Sequence, residues 1–241
     1  MTSEGTSGAI TRAAYDEGFP RVSDALTLHL WRRPAFVPVQ WSAAAGMPVS
    51  AAILVEALLA AFVFALFWTG RFWAGLLLSV IVMLVSVAAL MLARLVHTAP
   101  ATNRVRVAVE VVSPLLWWWG WAHGLAAYGR PLEPIYATMV LWVVVGGTIA
   151  IRTVETLALQ RFNGMEIHAW RPIDSKFRLA SAGPNPNLVI LAASLLFGRP
   201  DSGLVLVAWW TLISLIFHSV RLAQLTEQQA RRHKIVSWLD E

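Results

Sequence analysis

The chain has 241 residues, 57% of them hydrophobic and only 14% charged, with 13 Trp, no Cys and a mean hydropathy of +0.60. The absence of cysteine excludes disulfide and thiol chemistry. The net charge of +5 and a pI near 10.4 would suit nucleic acid in a soluble protein. Several apolar runs, however, reach the ~20 residues that a bilayer core demands, and excess Arg in such a chain belongs to cytoplasmic loops. Nucleic acid is therefore excluded as a partner, and the composition predicts a polytopic helical membrane protein.

Residues 1–22 are small and polar, and lack the charged start and apolar core of a cleaved leader. They read as a flexible cytoplasmic tail. Ser23 reads as an N-cap with Asp24 in the first turn, and residues 23–33 as a short amphipathic helix lying in the membrane interface, ended by Pro34. Six spans follow, at about 48–68, 72–96, 105–128, 135–159, 187–197 and 204–225, the fifth short and paired with the sixth as a tight hairpin. A longer loop covers 160–184, and residues 226–241 form a C-terminal cytoplasmic tail. With this topology sixteen Arg and Lys fall on the side of the termini and only Arg71, Arg130 and Arg199 on the other. The positive-inside rule then sets both termini in the cytoplasm, as in a bacterial-type inner membrane. The fold expected is all-α, with one membrane domain over residues 23–225.

Ionisable residues at membrane depth are costly and usually face a bundle interior. Glu56 stands alone on an apolar helix and must be neutral, hydrogen-bonded or paired with Arg; a structural pair and a functional group are both open. Arg106 and Glu110 are four apart, so they share a helix face. They predict a buried ion pair, with Arg94 as a candidate third member. Arg171, Lys176, Arg178 and Arg221 read either as topology signals or as a lipid-phosphate site, because Arg and Lys match phosphate geometry and charge. The cluster Trp117, Trp118, Trp119 and Trp121 reads as packing and an interfacial belt, with a ligand-stacking platform as the alternative. His123 and His218 read as buried, satisfied histidines. No His pair has metal-ligand spacing, so no metal and no cofactor are predicted. Phosphate-loop, nucleophile-elbow and H-E-x-x-H motifs are absent.

One stretch carries a resemblance. From Ser86 to Trp121 the chain reads SVAALMLARLVHTAPATNRVRVAVEVVSPLLWWWGW. Ala93–Arg94 matches the A-R pair of D-x2-D-G-x2-A-R-x8-G-x3-D-x3-D, the signature of the CDP-alcohol phosphotransferases. Further similarity runs through I-H-A-W-R-P-I-D-S-K-F-R-L from Ile167, N-P-N-L from Asn185, and G-R-P-D from Gly198. The chain thus resembles that family over about residues 21–225. The resemblance implies six spans, an interfacial helix before the first, and divalent metals held by the signature aspartates. Here Ser86 and Ala89 stand at the first two aspartate positions and Leu90 at the first glycine. The last two are Val107 and Val111, or Arg106 and Glu110 after a one-residue deletion. At most one carboxylate survives, so Arg94 and Glu110 are motif remnants and no catalytic residue is assigned.

The resemblance leads to a non-catalytic paralogue in phospholipid metabolism that binds lipid headgroups or partners an active relative, as a homodimer or heterodimer. Two alternatives stand beside it: a divergent transferase releasing CMP, and a small carrier or proton-linked channel built on Glu56 and Glu110.

Overall fold

A computed structural model of the protein describes residues 10–96, 98–231 and 235–240. Residues 1–9 of the expected tail, and Arg232 and Lys234 among the expected cytoplasmic cations, lie outside them. Every regular element among the described residues is helical, without a strand. In chain order the α-helices are α1 (Arg12–Gly18), α2 (Phe36–Ala44), α3 (Val49–Trp68), α4 (Phe72–Leu95), α5 (Pro100–Ala127), α6 (Pro134–Arg161), α7 (Pro172–Arg178), α8 (Pro184–Leu196) and α9 (Pro200–Ala230). Five of them begin with Pro at N1, where the missing N–H has no intrahelical partner to lose. Glu133 adds a side-chain cap at the start of α6, accepting from the Ile135 and Tyr136 amides.

Helices α3, α4, α6 and α9 are long and apolar enough to cross a membrane. Their outward faces are apolar as well. On α9, Leu206, Trp209, Ile213, Ile216 and Val220 are all exposed, at steps of three and four that hold one helical face. The chain is a helical membrane protein. Helix α5, with 28 residues, is long enough to span, but its first turns carry Arg104, Arg106 and Glu110. Helix α8 has 13 residues and rises about 20 Å, short of a full bilayer core.

Helix α3 packs against both α4 and α5, α6 packs against α9, and α8 lies on α9 and touches α4. A shared core joins the two groups, running from Phe67, Phe72, Trp117 and Trp121 across to Val144, Leu191 and Val207. The α3–α4 turn sits on Gly70, whose φ of +73° belongs to the left-handed region. A side chain there would also press on Ala127 and the Gly124 carbonyl of α5. Gly124 itself has no room for a Cβ, which would collide with the Phe67 carbonyl. Glycine at 124 is what lets α3 and α5 close up.

The N-terminal region differs from the expected loose tail. Thr11 caps α1 by accepting from the Ala14 amide. Tyr15 is fully buried among Phe19, Trp31, Val87 and Met91, and donates its hydroxyl to the Arg32 carbonyl at 2.8 Å. Burial pushes the Tyr15 phenol up to about 12. Its apolar face, not its polar composition, decides the fate of this segment. Asp24 rather than Ser23 supplies the cap that follows, accepting from the Thr27 amide and hydroxyl at 3.0 and 2.7 Å. The helical turn at Thr27–Trp31 is of the π type, and the chain turns through Pro34 into α2 instead of stopping. At the other end, the expected C-terminal tail is helical up to Ala230. It then folds back, with the Trp238 indole donating to Ser175 and the Ser237 hydroxyl to the Ala169 carbonyl.

Candidate functional site: a polar cavity and its ion-pair relay

A cavity of about 130 Å³ opens between α3, α4, α5, α6 and the start of α8. Asp24, Glu56, Glu110, Glu155, Arg152 and Arg178 line it, with Ser86, Thr148, Asn185 and Asn187 as neutral polar neighbours. Ser86, Leu90 and Glu110 share this wall. Pro114 also reaches it. It sits inside α5, where it cannot bond the carbonyl four residues back, that of Glu110.

Arg106 is buried and donates to Glu110 at 2.8 Å, with Asn103 accepting from the same guanidinium at 3.2 Å. The third member is Arg152, 3.6 Å from the other Glu110 oxygen. It is not Arg94, which is exposed and donates at 3.1 Å to the Gly18 carbonyl, closing the end of α1. Arg94 is one turn too far along α4 and faces α1. Arg152 also pairs with Glu155 at 3.2 Å, and Glu155 takes Arg178 at 3.2 Å. An alternating chain of Arg and Glu thus runs from Arg106 to Arg178 along α5, α6 and α7. Opposite-charge neighbours at each step offset the cost of desolvation.

Glu56 is 2% exposed, and its Oε2 has no hydrogen-bond partner. Eight residues into α3, it differs from the other two lining glutamates, Glu110 and Glu155, each of which is paired with two Arg. Three lining Glu and Asp24 stand against two lining Arg, so the wall favours hydrogen-bond donors and cations.

Two of the four expected lipid-phosphate residues are spent internally. Arg178 holds Glu155, and Arg221 holds the buried Asp174 at 2.6 Å while lying over the Phe217 and Trp170 rings. A buried carboxylate is a stronger competitor for these guanidinium groups than a surface lipid. Arg171, stacked on Trp170 at 4.2 Å, and Lys176 remain exposed.

Beyond Glu155 lies a group that the spacing of residues in the sequence does not reveal. His168, on the short turn at Ile167–Ala169, brings Nε2 to 3.0 Å from Glu155 Oε1. His218 of α9 brings Nε2 to 3.2 Å from His168 Nε2 and 3.6 Å from the same oxygen. These three side chains form the one cluster among the described residues able to hold a metal ion. The expectation of no metal rested on spacing in sequence, and the fold brings together residues 13 and 50 apart. Burial pushes the His168 imidazole down to about 4, so it is neutral, the form that ligates metals. His123, by contrast, is exposed and stacks on Trp68 at 3.5 Å. Of the Trp cluster, Trp117, Trp118 and Trp121 are buried packing residues, and Trp119 alone faces outward.

The sequence matches no protein-family model and no curated protein.

Proposed function

We propose that this chain is a non-catalytic membrane protein of the CDP-alcohol phosphotransferase type. In this reading it has six spans, α3, α4, α5, α6, α8 and α9, with both termini on the cytoplasmic side. Its cavity receives a phospholipid headgroup. The observation that carries the proposal is the convergence of Ser86, Leu90 and Glu110 on one polar wall inside an apolar bundle. Those positions come from two helices, α4 and α5, that both pack on α3.

The metals that the resemblance implies do not fit there. Hard cations need several oxygen ligands. Ser86 offers a hydroxyl, Ala89 nothing, and Arg106 a fixed positive charge already bound to Glu110. The Arg106–Glu110–Arg152 triad occupies the position with charge of its own. The excess of lining carboxylates favours a headgroup rich in donors, an amine or a polyol.

The test is a transferase assay. Purified protein with CDP-diacylglycerol, Mg²⁺ or Mn²⁺, and a panel of polyol acceptors should release no CMP above background. Metal-dependent release would overturn the non-catalytic reading in favour of a divergent transferase.

A further inference from the structure

We propose that Glu155, His168 and His218 form a binding site for a zinc-class divalent metal ion, set beside the cavity and independent of the headgroup reading. His218 lies 1% exposed, with Nδ1 2.6 Å from the Ser214 carbonyl. A carbonyl only accepts, so Nδ1 donates to it and Nε2 is the nitrogen left to face the other two groups. It faces His168 Nε2 and Glu155 Oε1. Both histidines are at least nine-tenths buried, so two imidazole nitrogens and a carboxylate oxygen, the donor types that transition metals take, converge on one point away from solvent.

The separations fit as well. Ligands about 2.0–2.1 Å from a tetrahedral zinc lie about 3.3 Å from one another. The three observed values are 3.0, 3.2 and 3.6 Å, so little movement is needed for all three to reach one ion. The bond from His218 Nδ1 to a backbone carbonyl is the outer contact that usually orients a metal-ligating histidine. Two imidazoles and one carboxylate favour zinc and its transition-metal neighbours over Mg²⁺ or Ca²⁺, which prefer oxygen alone. Three protein ligands leave one position for water or for a group entering from the cavity, whose wall Glu155 shares.

Arg178 is the competing cation. It lies 3.2 Å from Glu155 Oε1, with the Ser181 hydroxyl at 3.4 Å as its second partner. Arg152 holds the other Glu155 oxygen. A metal at Oε1 therefore displaces Arg178 toward Ser181 and leaves Arg152 in place.

The experiment uses the whole purified protein, stripped with chelator and then dialysed against Zn²⁺ or Co²⁺ alone. One metal per chain is expected, with Co²⁺ giving the intense visible bands of a four-coordinate ion, bleached by added Zn²⁺. His168→Gln and His218→Gln should each weaken binding beyond the 10–100-fold typical of losing an outer-shell contact. The wild-type Co²⁺ spectrum needs no variant, so it decides the matter even if a substitution prevents folding. Substoichiometric metal, an octahedral Co²⁺ spectrum, or full binding retained in both folded variants would overturn the proposal.

Discussion

The two ends of α5 are built on opposite physical grounds. Its C-terminal half is a dry aromatic joint. Trp121 stacks on Phe72 at 4.1 Å, meets Phe67 edge-on at 5.0 Å, and donates its indole N–H to the Pro200 carbonyl at 3.1 Å. Trp117 likewise donates to the Ala60 carbonyl at 3.0 Å. Its N-terminal half is ionic, with Glu110 on the wall of the polar cavity and buried Arg106 paired to it. The first end gains by burying large surfaces and leaving no gap. The second keeps a gap and holds it open with paired charges. The difference teaches that one helix carries both a close-packed joint and the wall of a polar cavity.

If that division is right, the largest loss comes at the aromatic end. Trp121→Ala should destabilise the detergent-solubilised protein by ~3–5 kcal/mol, the usual cost of deleting a large buried aromatic. Thermal unfolding measures it. A loss below 1 kcal/mol would mean that the joint is not where the bundle is held.

The ionic end should respond less, and non-additively. Glu110 is about one-third exposed, so Arg106→Ala and Glu110→Ala are each expected to cost ~1.5–3 kcal/mol, the range for hydrogen bonds to charged groups. The double variant should recover part of the sum, because neither charge is left unpaired. A four-protein unfolding cycle reads the coupling. Simple additivity would show that the pair does not act as a unit, and would leave Glu110 free for other chemistry.

The smallest stability effect belongs to the loop. Replacing exposed Arg171 and Lys176 with Gln should change stability by no more than ~0.5 kcal/mol while lowering retention of anionic lipid on the same face, at ~1 kcal/mol per cation. Flotation with anionic vesicles against neutral ones reports it. Identical flotation would reduce these two cations to topology signals.

Much of this architecture can be read from the residues. Apolar runs bounded by Gly70, Pro100, Gly129, Pro134, Gly198 and Pro200 mark the helices, and the i, i+4 spacing pairs Arg106 with Glu110. What the sequence hides is the choice among distant partners. Arg94 and Arg152 look equally suited to Glu110, and only the packing of α6 against α5 selects Arg152. His168 and His218 meet because a short turn after α6 is folded onto α9. Tyr15 and Phe19 were legible as apolar residues, but a few of them in a polar stretch do not announce a buried helix. In the Trp cluster, single-residue composition says nothing of direction. The ~100° step between neighbours sends Trp118 inward and Trp119 outward.

The central claim is that the cavity beside Glu110 is a headgroup site, and native mass spectrometry of a cavity-filling variant tests it most directly. Ser86→Trp sets an indole on the cavity wall and leaves the residues of the ion pairs and the loop cations unchanged. The wild-type protein released from lipid bicelles should carry a phospholipid that survives collisional activation, and Ser86→Trp, still folded, should lose it while Ser86→Ala keeps it. Equal retention of lipid by all three proteins would contradict the account.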